Sequence, residues 1–177
     1  MKVLVDGIPY SKGGIGTLIL NMYDCAETKT GMNKIDFEFI VPKESSYISV
    51  LKQRGAKYYI APPVHNIKSY RAFLSDLFEN NRFDYLWFNN TCKVNKTLPK
   101  YAKSHGTKVI SHPHGVDIEE KGIKRLVFKV LDKVNEKVFY SLVDVPFSCS
   151  EEAADRFYVG SKELRSKTTI IKMSPFS

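Results

Sequence analysis

Val109-Ile110-Ser111-His112-Pro113-His114-Gly115-Val116-Asp117 is a short apolar run that passes within a few residues into two histidines, a proline, a glycine and an aspartate. It reads as a strand ending in a polar loop. In an open α/β sheet, ligands bind in the crevice beyond the carboxyl ends of the strands. A neutral imidazole at such an end can act as acid, base or hydrogen-bonding group near pH 7. The plain alternative is a pair of loop histidines capping a strand.

Outward from this segment, apolar runs alternate with helix-periodic stretches along almost the whole chain. Residues 2–6 read as a buried strand and 14–26 as a helix with Leu18, Ile19, Met22 and Tyr23 on one face. Strand 35–41, closed by Pro42, leads to helix 44–54. Strand 57–60 stops before Pro62-Pro63. Helix 66–80 carries Tyr70, Phe73, Leu74, Leu77 and Phe78 at helical spacing, and strand 85–88 ends at turn residues Asn89 and Asn90. Helix 98–104, strand 108–111, helix 123–142, strand 145–148, helix 151–158 and strand 168–172 follow. About seven strands alternating with helices predict an α/β, doubly wound, mostly parallel, Rossmann-like sheet.

The 177 residues suit one domain with a substantial core. A formal net charge of +8 raises nucleic acid, anionic membrane or phosphorylated ligands as partners. The Lys and Arg residues are spread evenly, without basic–aromatic clusters or a recognisable module, which argues against nucleic acid. A nucleotide- or nucleic-acid-binding α/β protein stays as the outside alternative. Cys25, Cys92 and Cys149 are scattered, as expected of reduced thiols, and suggest neither a disulfide framework nor a metal site. The start Met-Lys-Val-Leu-Val-Asp does not resemble a signal peptide, and no apolar run reaches membrane-spanning length. The expected location is the cytoplasm.

Ser11-Lys12-Gly13-Gly14-Ile15-Gly16-Thr17 separates the first strand from the first helix. An NTPase phosphate loop would place Lys after the last glycine, where Thr17 stands. A dinucleotide fingerprint would place its third glycine at Ile19. A third reading is a glycine turn pressing its amides against a sugar or diphosphate at the helix start; the fourth is a plain tight turn.

Three segments in this order carry a family resemblance. They are Gly13-Gly14-Ile15-Gly16-Thr17, Ser111-His112-Pro113-His114-Gly115, and the stretch from Ser148-Cys149-Ser150-Glu151-Glu152-Ala153 to Val159-Gly160. Together they resemble the N-terminal half of a GT-B glycosyltransferase of the family 4 type, similar to bacterial capsule and exopolysaccharide enzymes. The resemblance implies retaining transfer of a sugar from a nucleotide-sugar donor to a glycan or lipid-linked acceptor, with no cofactor and no catalytic metal. It implies that this half holds the acceptor while Gly13, Gly14, Ile15 and Gly16 face the donor phosphate or sugar. His114 matches the family's strand-end histidine, His112 its flanking histidine, and Pro113 replaces a small polar residue. Tyr10, Lys12, Asn89, His112, Asp117 and Ser150 are the candidate acceptor-binding residues.

In that family a linker and a nucleotide-gripping second domain follow the last strand; here the sequence reads Met173-Ser174-Pro175-Phe176-Ser177. The expectation is an acceptor domain over 1–172, a tail at 173–177, and a donor half supplied elsewhere, on a partner chain or in a longer enzyme. Alternatives are a subunit of a split transferase and a sugar-binding remnant. Within helix 123–142, Ile123, Leu126, Val127, Val130, Leu131, Val134 and Val138 share one face, with Lys121 just before the helix and Lys124, Arg125, Lys129, Lys133 and Lys137 elsewhere around it. The favoured expectation is that this apolar face packs on the core. The alternative is contact with an anionic membrane at the inner leaflet. Asn66, Asn89 and Asn90 are expected to serve mainly as turn residues, and Ser150 as a helix cap.

Overall fold

In the computed structural model, the described residues are 1–10, 13–28, 34–115 and 122–171. In chain order the elements are β1 (Lys2–Asp6), α1 (Gly14–Glu27), β2 (Asp36–Pro42), α2 (Tyr47–Gln53), β3 (Lys57–Ala61), α3 (Ile67–Asn80) and β4 (Tyr85–Asn90). There follow α4 (Thr97–Ser104), β5 (Lys108–Pro113), α5 (Gly122–Tyr140), β6 (Val145–Ser148), α6 (Glu151–Phe157), α7 (Lys162–Lys167) and β7 (Thr169–Ile170). The seven strands form one sheet in the order β3-β2-β1-β4-β5-β6-β7, and every pairing is parallel. This is the doubly wound α/β arrangement.

Period-2 alternation divides the strand residues between two cores. Leu4, Ile40, Leu86, Phe88 and Val109 face α3, α4, the end of α5 and α6, where Leu74, Phe78, Leu98, Phe139, Phe157 and Tyr158 are buried. Val3, Val5, Phe37, Phe39, Val41 and Trp87 face α1 and α2, with Ile19, Tyr23, Tyr47 and Leu51. Burial on both faces explains why these strands read as continuous apolar runs.

Several boundaries depart from the sequence reading, each for a local reason. Pro42 ends β2 inside the ladder, pairing with Ala61. Helix α2 starts at Tyr47, not residue 44, because Ser45 is held in a turn: its amide donates to Pro42 O and its hydroxyl to Pro9 O. Asn89 and Asn90 are strand residues, not a turn, paired with His112 and Pro113. Helix α7 was not expected. It is capped by Ser161 and buries no residue, so no apolar period announces it.

The largest correction concerns α5. Its apolar stripe does not pack on the core: Ile123, Leu126, Val130 and Val134 are 83%, 64%, 55% and 71% exposed, and Val127, Leu131 and Val138 are also exposed. The helix is held by its C-terminal half, through buried Asn135, Glu136 and Phe139. Lys93, on the loop after β4, is buried beneath it. Its amide donates to Asp132, and its Nζ lies 3.1 Å from Asp132 and 3.6 Å from Glu136 and donates to the Phe157 carbonyl.

Candidate functional site

The strand order reverses between β1 and β4, so the topological switch point lies at the carboxyl ends of these two strands. Asn89 spans it. Its Nδ2 donates to the Asp6 carbonyl at 2.9 Å, and its Oδ1 lies 2.9 Å from His114 Nε2. The chain turns here through Gly7, at φ +95°, and a Cβ on Gly7 would lie 2.3 Å from the Asn89 carbonyl oxygen. Only glycine meets both demands. The strand-end histidine is therefore joined to the first strand by one side-chain amide.

The same bonds assign the proton on His114. With Asn89 Nδ2 committed to a carbonyl, Asn89 Oδ1 must accept, so His114 Nε2 carries the hydrogen and Nδ1 is the accepting nitrogen. Burial lowers the His114 pKa to about 4. The ring is neutral at physiological pH. It can accept a hydrogen bond from a hydroxyl but offers no charge to a phosphate.

His112 lies within β5 and has no exposed surface. The Trp87 indole donates to its Nδ1 at 3.2 Å and stacks on it, with the rings 13° from parallel. Its Nε2 thus bears the hydrogen and, buried, has no partner. Burial and then the nearby His114 depress its pKa to about 3. The two imidazole centroids are 4.2 Å apart. His112 therefore packs against His114 and is shielded from solvent.

The glycine loop is divided in its duties. Gly13, in extended conformation before α1, donates its amide to the Tyr47 hydroxyl at 3.0 Å. Gly16 is buried, and a Cβ there would meet the Tyr47 ring at 2.2 Å, so its role is packing. Ile15 is partly buried against the core. Gly14 is exposed at the first helical position, where first-turn amides lack intrahelical acceptors.

Tyr10 stands 58% exposed at the same edge of the sheet. Ser150 caps α6, accepting from the Ala153 amide at 3.1 Å, and Asn66 caps α3, accepting from the Ser69 amide. Lys12 and Asp117 lie outside the described residues, as do residue 172 and the tail 173–177. Among the described residues, no group of three or more His, Cys, Asp or Glu is placed to hold a metal ion. Gly7, Trp87 and Asp6 were not singled out from the sequence. Gly7, directly after the predicted first strand, signals a tight turn in the sequence but not the strand order that makes the switch point.

The fold and the parallel edge define one Rossmann-like half of a GT-B architecture. Among solved structures similar to the chain is Anabaena HepE in complex with UDP-glucose, at 11% identity and TM-score 0.65; the match covers 97% of this chain and 43% of that one. The Staphylococcus aureus MnaA–UDP structure matches at 13% identity and TM-score 0.63, covering 96% and 43%. Acinetobacter baumannii MurG matches at 9% identity and TM-score 0.61, covering 100% and 46%. The chain thus spans less than half the length of these neighbours. The sequence matches no protein-family model and no curated protein.

Proposed function

We propose that this chain is the acceptor-binding half of a nucleotide-sugar-dependent glycosyltransferase of the family 4 type, acting with retention in surface polysaccharide synthesis. The observation that carries the reading is the His114–Asn89–Asp6 chain of hydrogen bonds at the switch point of a GT-B half. It fixes a neutral, accepting imidazole nitrogen at the edge where, on this reading, substrates would meet. In the intact enzyme His114 would accept from a hydroxyl of the transferred sugar and hold it for attack. Asn89 orients His114, and His112 backs it. The first-turn amides at Gly14 and Ile15 would face the donor phosphate. Tyr10, Ser150, Lys12 and Asp117 would border the acceptor. The nucleotide would be held mainly by a second half, in a longer protein or a partner chain.

Transfer of radiolabelled sugar from a UDP-sugar to a glycan or polyprenyl-phosphate-linked acceptor, with the donor half supplied, tests the reading. His114→Ala should lower kcat by about 100-fold. Interconversion of the UDP-sugar without transfer would instead point to the epimerase chemistry named for a neighbour of the same fold from Neisseria meningitidis.

The acceptor is proposed to be lipid-linked, because the exposed apolar stripe of α5 is flanked by Lys124, Arg125, Lys129, Lys133 and Lys137. Among the described residues no helix is long and apolar enough to cross a membrane. We therefore assign α5 to peripheral contact with an anionic bilayer from the cytoplasmic side. Vesicles with anionic lipid should sediment the chain and neutral vesicles should not. Leu126→Ser with Val130→Ser should abolish sedimentation. Dimerisation through α5 in solution, or indifference to lipid charge, would contradict this.

A further inference from the structure

On the face of the sheet that carries α3, a cleft of about 190 Å³ opens at the carboxyl ends of β1, β2 and β3. Its polar groups are Asp6, Tyr70 and Asn95; its walls include Ile40, Ala61 and Pro63. Drug-sized ligands occupy pockets of ~300–1,000 Å³, so the enclosed part of this cleft is of the size for one ring.

Its chemistry narrows the occupant further. The Asn95 Oδ1 is buried and has no hydrogen-bond partner, an unmet acceptor whose loss to water costs free energy unless a ligand hydroxyl donates to it. Beside it, burial holds the Tyr70 phenol well above its usual pKa, with Asp6 adding to the rise and the Asn95 side chain opposing it. Burial also pushes the Asp6 carboxyl up to about 7, against the lowering effect of a hydrogen bond from the Gly7 backbone. Near neutrality that carboxyl is able both to donate and to accept. The charged residues at the rim, Lys43 and Glu44, are of opposite sign. Among the described residues of the lining, no net positive charge is offered to a phosphate or carboxylate. Tyr10, largely exposed, adds an aromatic face at the mouth.

We propose that this cleft is a subsite for a single uncharged sugar ring, its hydroxyls bonded by Asn95, Tyr70 and Asp6 and its apolar face set against Ile40 and Ala61. The assignment rests on the reading of this edge as an acceptor face and names the acceptor's chemical class. Asp6 connects the two places: its carboxyl lines the cleft, while its carbonyl accepts from the Asn89 that holds His114. A ring seated here would sit beside the hydrogen-bonded chain that orients the imidazole.

Amide NMR of the chain titrated with methyl α-D-glucopyranoside, and separately with D-glucuronate at pH 8, tests this. The glycoside should shift the Gly7 amide and the Asn95 side-chain amide. Binding should weaken about tenfold in Asn95→Ala, the loss expected for one hydrogen bond to a buried group. Tyr10→Ala, at an exposed position that leaves the core intact, should also weaken it. Glucuronate should bind at least tenfold more weakly than the glycoside. Shifts confined to Asn89 and His114 would overturn the cleft assignment while leaving the acceptor face standing. No glycoside shifts anywhere along the edge would overturn both. Glucuronate binding as tightly as the glycoside would overturn the uncharged class.

Discussion

At the end of β5 the hydrogen-bonding character of His114 depends on which nitrogen holds the proton, and Asn89 decides it by committing its amide nitrogen to Asp6. Two buried imidazoles that stay neutral to about pH 4 and 3 make a measurable contribution to stability. The unfolded chain takes up protons below ~6.5 that the folded chain refuses, so their contribution is complete above that pH and is lost as pH falls. Each imidazole contributes roughly 1.4 kcal/mol per pH unit over that range. Asp6, raised to about 7, acts in the opposite sense, favouring the fold below ~4 and losing that contribution as pH rises to 7. Urea denaturation between pH 4.5 and 6.5 should show a shallower dependence in His114→Gln and a steeper one in Asp6→Asn. Gly7→Ala should destabilise by at least about 2 kcal/mol, since it adds a positive-φ penalty to contact with the Asn89 carbonyl. The histidines were legible in sequence because a strand pattern runs straight into them. The demand on Gly7 was not, because it arises from a residue 82 positions away on a strand that only the fold brings alongside.

Helix α5 shows what periodicity reveals about an element and what it leaves open. The spacing of Ile123 to Val138 established an amphipathic helix, and Gly122–Tyr140 is one. An apolar stripe does not say what covers it, and here the described residues leave it exposed. The C-terminal half of the helix is held by buried Asn135, Glu136 and Phe139, and by Lys93 and Lys96 from a loop with no sequence pattern that announces the contact. Lys93→Ala would take the buried cation from Asp132, leave Glu136 with Lys133 alone, and remove the bond to Phe157 O. It should cost about 3–5 kcal/mol, the range for breaking a buried ion pair. Thermal denaturation by circular dichroism would read this. The strand ends illustrate the same limit. Asparagine is a turn former by propensity, yet Asn89 and Asn90 extend β4 because their side chains find Asp6 O and Cys92 O.

For the molecule as a whole, the alternation of apolar runs with helices was enough to establish a doubly wound sheet, and the seven strands are parallel throughout. The position of the switch point was not legible, because strand order depends on which edge each crossover joins. That order brings Asp6, Asn89 and His114 to one place. The chain spans 43–46% of the neighbours described above. The measurement that bears most directly on the account is ligand-observed NMR of the chain. It would be run against UDP- and GDP-sugars and short polyprenyl-phosphate-linked glycans, with the unaltered chain, with Tyr10→Ala on the acceptor side and with His114→Ala. Glycan binding should weaken in Tyr10→Ala and persist in His114→Ala, with little binding of either nucleotide sugar to any of the three. Tight nucleotide binding with no glycan binding would contradict the acceptor-half reading.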